Sequence, residues 1–288
     1  MKIAVGNLSL EKTRNSVTPS MSSTSTYKGP PYLSTGISSS SSSSLPLPAN
    51  SKTCMSAAAK RAKYLRRLLH FRQMDFEFAI WQMIYLLLDP KRVYKNFKYR
   101  KLSKSQFARD DPAFLVLLST WLVVSTAIYS WVLGIHFLGF IKFLLWVIGI
   151  DTLGAGAAVA TVLWAFSNKY LLVRRDDEAV EWGYCLDIHL NALFPVLVIL
   201  HGIQLMFYHH FISGPGILST IFGNTLWLIA ITYYVFITFL GYGSLPGLKK
   251  TRVFLYPLGM LILLYFLSLF TGVNLCQILV KFYKDRVV

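Results

Sequence analysis

Charge is what this chain lacks. No Asp, Glu, Lys or Arg occurs between Ile188 and Leu248 or between Val253 and Val280, and only Lys142 and Asp151 interrupt the stretch from Pro112 to Phe166. Across the whole sequence 15% of residues are charged and the mean hydropathy is +0.49, against about 25% charged in an ordinary soluble domain. A soluble core helix carries a polar face at a spacing of about 3.6 residues, and these stretches show none. A spanning helix needs about 20 mostly apolar residues, so the uncharged stretches suffice for several crossings. A soluble enzyme domain is excluded.

Cysteine is scarce as well. Cys54, Cys185 and Cys276 stand far apart with no CxxC pair, which excludes a disulfide framework and a zinc motif and leaves each as a small apolar filler or a free thiol. There is no HExxH and no second His pair on a matching helix. No catalytic residue, metal or cofactor is therefore assigned, and the chain is not read as an enzyme. The first residues lack the apolar core of a secretory signal, so insertion is expected to fall to the first spanning helix.

Residues 1–51 are rich in Ser, Thr and Pro, with an unbroken run Ser38–Ser44. They bury too little apolar surface to offset ordering entropy and read as a disordered extension. Residues 52–111 form a basic juxtamembrane region. Its first part, Ser56 to Arg72, reads as an amphipathic helix with Ser56 as N-cap; Ala58, Ala62, Leu65 and Leu69 line one side, and Lys60, Arg61, Lys63, Arg66 and Arg67 occupy the rest. The short apolar run Met74–Leu88 contains Asp75 and Glu77 and is stopped by Pro90, which fits an interfacial or re-entrant helix better than an extra span. Arg92, Lys95, Lys98, Arg100 and Lys101 then alternate with aromatic residues, and Asp110 or Asp111 can cap a helix opening near Pro112.

Residues 112–288 divide by length and charge into five spans, at about 113–133, 143–166, 188–208, 217–240 and 254–279. The expected fold is thus an all-α, polytopic five-helix bundle preceded by a cytosolic amphipathic and interfacial region. Lys and Arg crowd residues 52–111 and recur in the second loop (Lys169, Arg174, Arg175) and the fourth (Lys249, Lys250, Arg252), but are nearly missing from the first and third. The positive-inside rule then places the N-terminus in the cytosol and the C-terminus in the lumen, with the tail charges Lys281, Lys284 and Arg286 running mildly against it.

Asp151 and His201 are the polar residues that hydropathy places inside spans. A charge at depth is costly and faces protein or water, so Asp151 is either a proton or cation site, or a group that reaches headgroup water or pairs with Lys142. Gly156 and Ala160, extended by Gly154, offer a small-residue face for a neighbouring helix. A lone span histidine such as His201 is more often a satisfied interhelical hydrogen-bonding group than a ligand. Asp187 and His189 could supply ligands to a divalent metal, but the bland reading of Arg174, Arg175, Asp176, Asp177 and their neighbours is a solvated loop with weak local ion pairs. The basic block 60–109 suits anionic lipid on the cytosolic leaflet, with RNA binding through phosphates and stacked aromatics as the alternative.

Three segments, "FRQMDFEFAIWQMIYLLLDPKRVYKNFKYRKLSKSQFARDDPAF" (71–114), "RRDDEAVEWGYCLDIHLNALFPV" (174–196) and "FLGYGSLPGLKKTRVFLYP" (239–257), closely resemble the uncoordinated-fifty family of small Golgi membrane proteins. The resemblance covers about residues 57–288 and leaves out the Ser-rich extension. It implies a five-span Golgi protein of vesicular trafficking that supports cell-surface delivery of receptors such as nicotinic acetylcholine receptors. It further implies a link to large Arf guanine-nucleotide exchange factors and, for some members, to RNA binding and the inner nuclear membrane. No catalytic residue carries over. Arg174, Arg175, Asp176 and Asp177 join the basic block as the expected cytosolic interaction surface, and the competing function is an ion, proton or small-solute transporter using Asp151 and the Asp187–His189 cluster.

Overall fold

A computed structural model describes residues 74–96, 111–173 and 179–287, all within one compact unit, Cys54–Val288. The Ser-rich extension, Cys54 and the helix expected at 56–72 lie outside the described residues. So do Lys60, Arg61, Lys63, Arg66, Arg67, Lys98, Arg100, Lys101, Arg174, Arg175, Asp176 and Asp177.

The described elements are helices. A short one, α1 (Phe76–Leu88), precedes five that are long and apolar enough to cross a membrane: α2 (Ala113–Val132), α3 (Phe137–Leu171), α4 (Trp182–Ile212), α5 (Ile217–Gly243) and α6 (Thr251–Phe270). A last helix, α7 (Leu275–Val287), closes the chain. The molecule is an all-α, multi-pass membrane protein.

Local chemistry sets the helix starts. Asp75 caps α1, its carboxylate accepting from the Phe78 N–H at 2.9 Å. Asp111 caps α2 by accepting from the Ala113 N–H at 3.0 Å, and its other oxygen accepts from the Asp75 N–H at 2.7 Å, so one carboxylate ties the two helix starts together. Of the two acids expected to cap, Asp111 does so.

Three boundaries differ from those expected from sequence. The helix expected from 143 begins at Phe137, because only residues 133–136, with Gly134 at φ 65°, leave the helical path. The helix expected from 188 begins at Trp182, so Asp187 lies within it. The last span ends at Phe270 and not at 279: the chain turns through Gly272 at φ 67°, the Val273 N–H closes on the Ser268 carbonyl at 3.0 Å, and α7 follows as a separate helix.

The spans are unequally enclosed. In α4, 61% of the apolar window is buried; in α6 the share is 6%. The core gathers around α4, with Phe114 and Trp121 of α2 meeting Phe194 edge-on. Gly241 of α5 admits Ile188 so closely that a Cβ there would stand 2.8 Å from Ile188 Cγ1. Gly156 and Ala160, the buried residues of Ala155–Phe166, pack as expected, with the His189 ring against Gly156. Gly154 is exposed and does not extend that face.

Candidate functional site

At one end of the bundle, two loops far apart in sequence are stitched together. Leu172 and Leu248 form an antiparallel bridge; the Lys249 N–H donates to the Leu171 carbonyl at 2.9 Å and the Val173 N–H to the Gly247 carbonyl at 3.1 Å. Phe254 sits between Phe166 of α3 and Tyr242 of α5, with ring centroids 6.0 and 4.5 Å away. Lys169, Lys249, Lys250 and Arg252 are exposed around this seam. Asn168 holds the far side of the second loop through both backbone polar groups of Val180. The second and fourth loops, expected from charge alone to share a face, are joined through their backbones.

Helix α1 docks beside α2 and α4. Its buried residues Ala79, Gln82 and Leu86 form one stripe. The Gln82 amide donates to Asn191 Oδ1 at 2.8 Å inside the core, and Tyr233 of α5 donates to the Leu87 carbonyl at 2.6 Å. A buried amide pair costs little only when both partners are in place, so this contact fixes the register of α1. Within the described part of the basic block, Arg92 donates to the Tyr85 hydroxyl and lies over its ring, 4.5 Å from the centroid, and both Arg92 and Lys95 are exposed.

Deeper polar residues are divided among separate partners. Asp151 accepts from the Tyr283 hydroxyl of α7 at 2.7 Å, and Lys142, the partner considered from sequence, is exposed on α3. His189 Nδ1 pairs with the Tyr234 hydroxyl at 2.8 Å. Asp187 and His189 are two positions apart on a helix, which sends them to different sides. Among the described residues no group of three or more His, Cys, Asp or Glu side chains could hold a metal ion. His201 is buried on α4, its ring 5.6 Å from that of Tyr129 on α2. Both Asp151 and His201 lie on π-helical stretches, Val147–Gly154 and Ile199–Ile203, where the wider turn re-aims side chains.

The opposite end is closed by a polar clamp. Asn224 of α5 donates to Ser268 Oγ at 2.9 Å and the Val273 carbonyl at 2.7 Å, and accepts from the Leu275 N–H at 2.9 Å. Gln277 reaches the Ile212 carbonyl at 2.8 Å, and Asn274 donates to Ser219 at 3.1 Å. Cys276 is a buried free thiol that donates to the Gly223 carbonyl; burial pushes it up to about 12, with Trp227 opposing, so it is a packing group. Cys185 is likewise buried and free. Sequence reasoning misses this clamp, although Gly272 and Asn274 give its turn signal.

The UNC-50 family profile matches residues 64–284. The chain belongs to the UNC-50 family. It is 58% identical over 232 residues to the human Protein unc-50 homolog, covering 80% of this chain and 90% of that protein. To the zebrafish Protein unc-50 homolog it is 57% identical over 234 residues, with the same two shares covered, 80% and 90%. Protein unc-50 of Caenorhabditis elegans is 52% identical over 232 residues, 81% of this chain and 77% of that one. No solved structure matches. The family match takes in α1, all five spans and nearly all of α7, so the half-length helices belong to the family's shared body and the Ser-rich extension does not.

Proposed function

We propose that this chain is a scaffold of vesicular traffic in the Golgi membrane, supporting cell-surface delivery of receptors and recruiting Arf guanine-nucleotide exchange factors on its cytosolic face. The reading rests on UNC-50 family membership and on one observation, the assembly of the second and fourth loops into a single backbone-paired platform. A loose loop loses ordering entropy each time it binds, whereas a preformed platform does not. The platform carries exposed cations at Lys169, Lys249, Lys250 and Arg252. The basic block 60–109 adjoins it in this proposal, held near anionic lipid, with α1 as its fixed root. The N-terminus is cytosolic and the C-terminus lumenal, and the protein acts without catalysis.

The test is co-purification of an Arf exchange factor with the full chain and with a variant carrying Gln at Lys60, Arg61, Lys63, Arg66 and Arg67. Loss of the exchange factor with unchanged Golgi residence supports the reading. Undiminished recovery removes the basic block from the mechanism. Glycosylation at Asn7, in the sequon Asn7-Leu8-Ser9, would overturn the orientation, since such a sequon is modified only in the lumen.

A further inference from the structure

Helix α1 is too short to cross a bilayer, and three contacts set its depth. At its start the Asp75 N–H donates to Asp111, the cap of α2. Halfway along, Gln82 donates to Asn191, six residues before the midpoint of α4 at Leu197. Near its end the Leu87 carbonyl accepts from Tyr233, three residues from the midpoint of α5 at Ala230. At about 1.5 Å of rise per residue, the last two contacts lie about 9 Å and about 5 Å from the middle of the bundle. The 13 residues of α1 are about 20 Å long, and one leaflet's hydrocarbon is about 15 Å thick. The helix thus runs from the end of the bundle to its mid-depth.

The outward side of α1 agrees. Glu77 is exposed in the first turn, and Ile80, Ile84 and Leu88 then form an exposed apolar stripe, as a hydrocarbon surrounding demands. At the deep end the pattern breaks. Asp89, Lys91 and Arg92 are exposed around one turn, where the Arg92 N–H closes on the Asp89 carbonyl at 3.1 Å. Residues 90–96 are helical again, and the Tyr94 hydroxyl accepts from Asn191 at 3.4 Å. The chain has turned back to the level of Gln82.

Charges exposed at mid-depth are costly in hydrocarbon. Long basic side chains can snorkel toward the surface, but Asp89 is too short, and the Arg92 guanidinium is folded over Tyr85. A turn that carries both signs matches a phospholipid headgroup, whose phosphate suits Lys91 and Arg92 and whose ammonium suits Asp89. We propose that the bundle indents one leaflet at the tip of α1, drawing phospholipid headgroups down to Asp89, Lys91 and Arg92. Bilayers thin around a hydrophobic element too short to match them, and α1 is such an element on one side only. With the N-terminus in the cytosol, as proposed, the indented leaflet is the cytosolic one.

Depth-dependent quenching tests this for either orientation. The full chain with Cys54→Ala is reconstituted in phosphatidylcholine vesicles, with a bimane on Leu88→Cys or on Ile229→Cys, an exposed position beside the midpoint of α5. Cys185 and Cys276 are buried. A nitroxide on the lipid headgroup should quench the Leu88 reporter at least twofold more strongly than one at carbon 12 of the acyl chain, and the order should reverse at Ile229. Stronger quenching from the acyl chain at both sites means that headgroups stay at the surface, and overturns the proposal. Stronger quenching from the headgroup at both means that this level lies outside the hydrocarbon, and overturns it too. Adding Lys91→Gln and Arg92→Gln should lower headgroup quenching at Leu88→Cys at least twofold; no change would remove these charges as its cause.

Discussion

Helices α4 and α6 look alike by hydropathy, and both are uncharged from Ile188 and from Val253 onward. Yet α4 is the hub of the bundle, whereas α6 turns almost all its surface outward. The distinction lies in a few polar residues. Helix α4 carries His189, Asn191, His201 and Gln204, all buried, while the buried residue of Pro257–Phe270 is Ser268 alone. Hydrocarbon offers no reward for packing one apolar helix against another, so an apolar residue is nearly as content facing lipid. A polar residue must face protein. In this family's bundle, hydropathy says which segments cross and the sparse polar residues say which one lies at the centre.

The contrast can be broken from the α4 side. Gly241→Leu thrusts a side chain into Ile188, where a Cβ alone meets Cγ1 at 2.8 Å; a loss of about 3 kcal/mol is expected, read as a lower midpoint of thermal aggregation in detergent. Asn191→Leu strands the Gln82 amide and should cost about 2 kcal/mol. Because α1 loses its anchor, faster hydrogen exchange over Phe76–Leu88 should accompany that loss; unchanged exchange would show that apolar packing alone seats α1. On the other side, Asn224→Ala cuts the tie between α5, Ser268 and the start of α7. A loss of about 1.5 kcal/mol is expected, together with new protease sensitivity confined to the 271–274 turn. The smallest effect sharpens the comparison: a Cβ added at Gly259 on α6 would meet nothing within 4 Å, so Gly259→Ala should stabilise by less than about 1 kcal/mol through helix propensity. A substantial loss there would mean that α6 is covered by another protein.

Much of this is legible in the residues. The five crossings follow from the missing charge, an acidic cap at Asp110 or Asp111 from its place before Pro112, and the packed face of α3 from Gly156 and Ala160. What escapes is pairing at a distance. Gln82 and Asn191 stand 109 positions apart, and nothing local marks either as the other's partner. The break at 271–274 is hidden for a related reason: an uncharged run reads as one long span unless Gly272 and Asn274 are given weight as a turn. Asp151 is recognisable as a group needing company, but its partner Tyr283 comes from α7, whose start the uncharged run disguises as the end of the last span.

The bridge between Leu172 and Leu248 has a kinematic consequence. Helix α6 is a spar pinned near both tips: at the first by that bridge and by Phe254 wedged between Phe166 and Tyr242, at the second by Ser268 and Tyr265 against Asn224 and Thr225. The first pin is shared by α3 and α5, the second belongs to α5 alone. A displacement of α3 relative to α5 would pull the near tip and leave the far tip in place, and α6 would answer by tilting. The least enclosed span would in this way carry a movement inside the bundle to its outer surface.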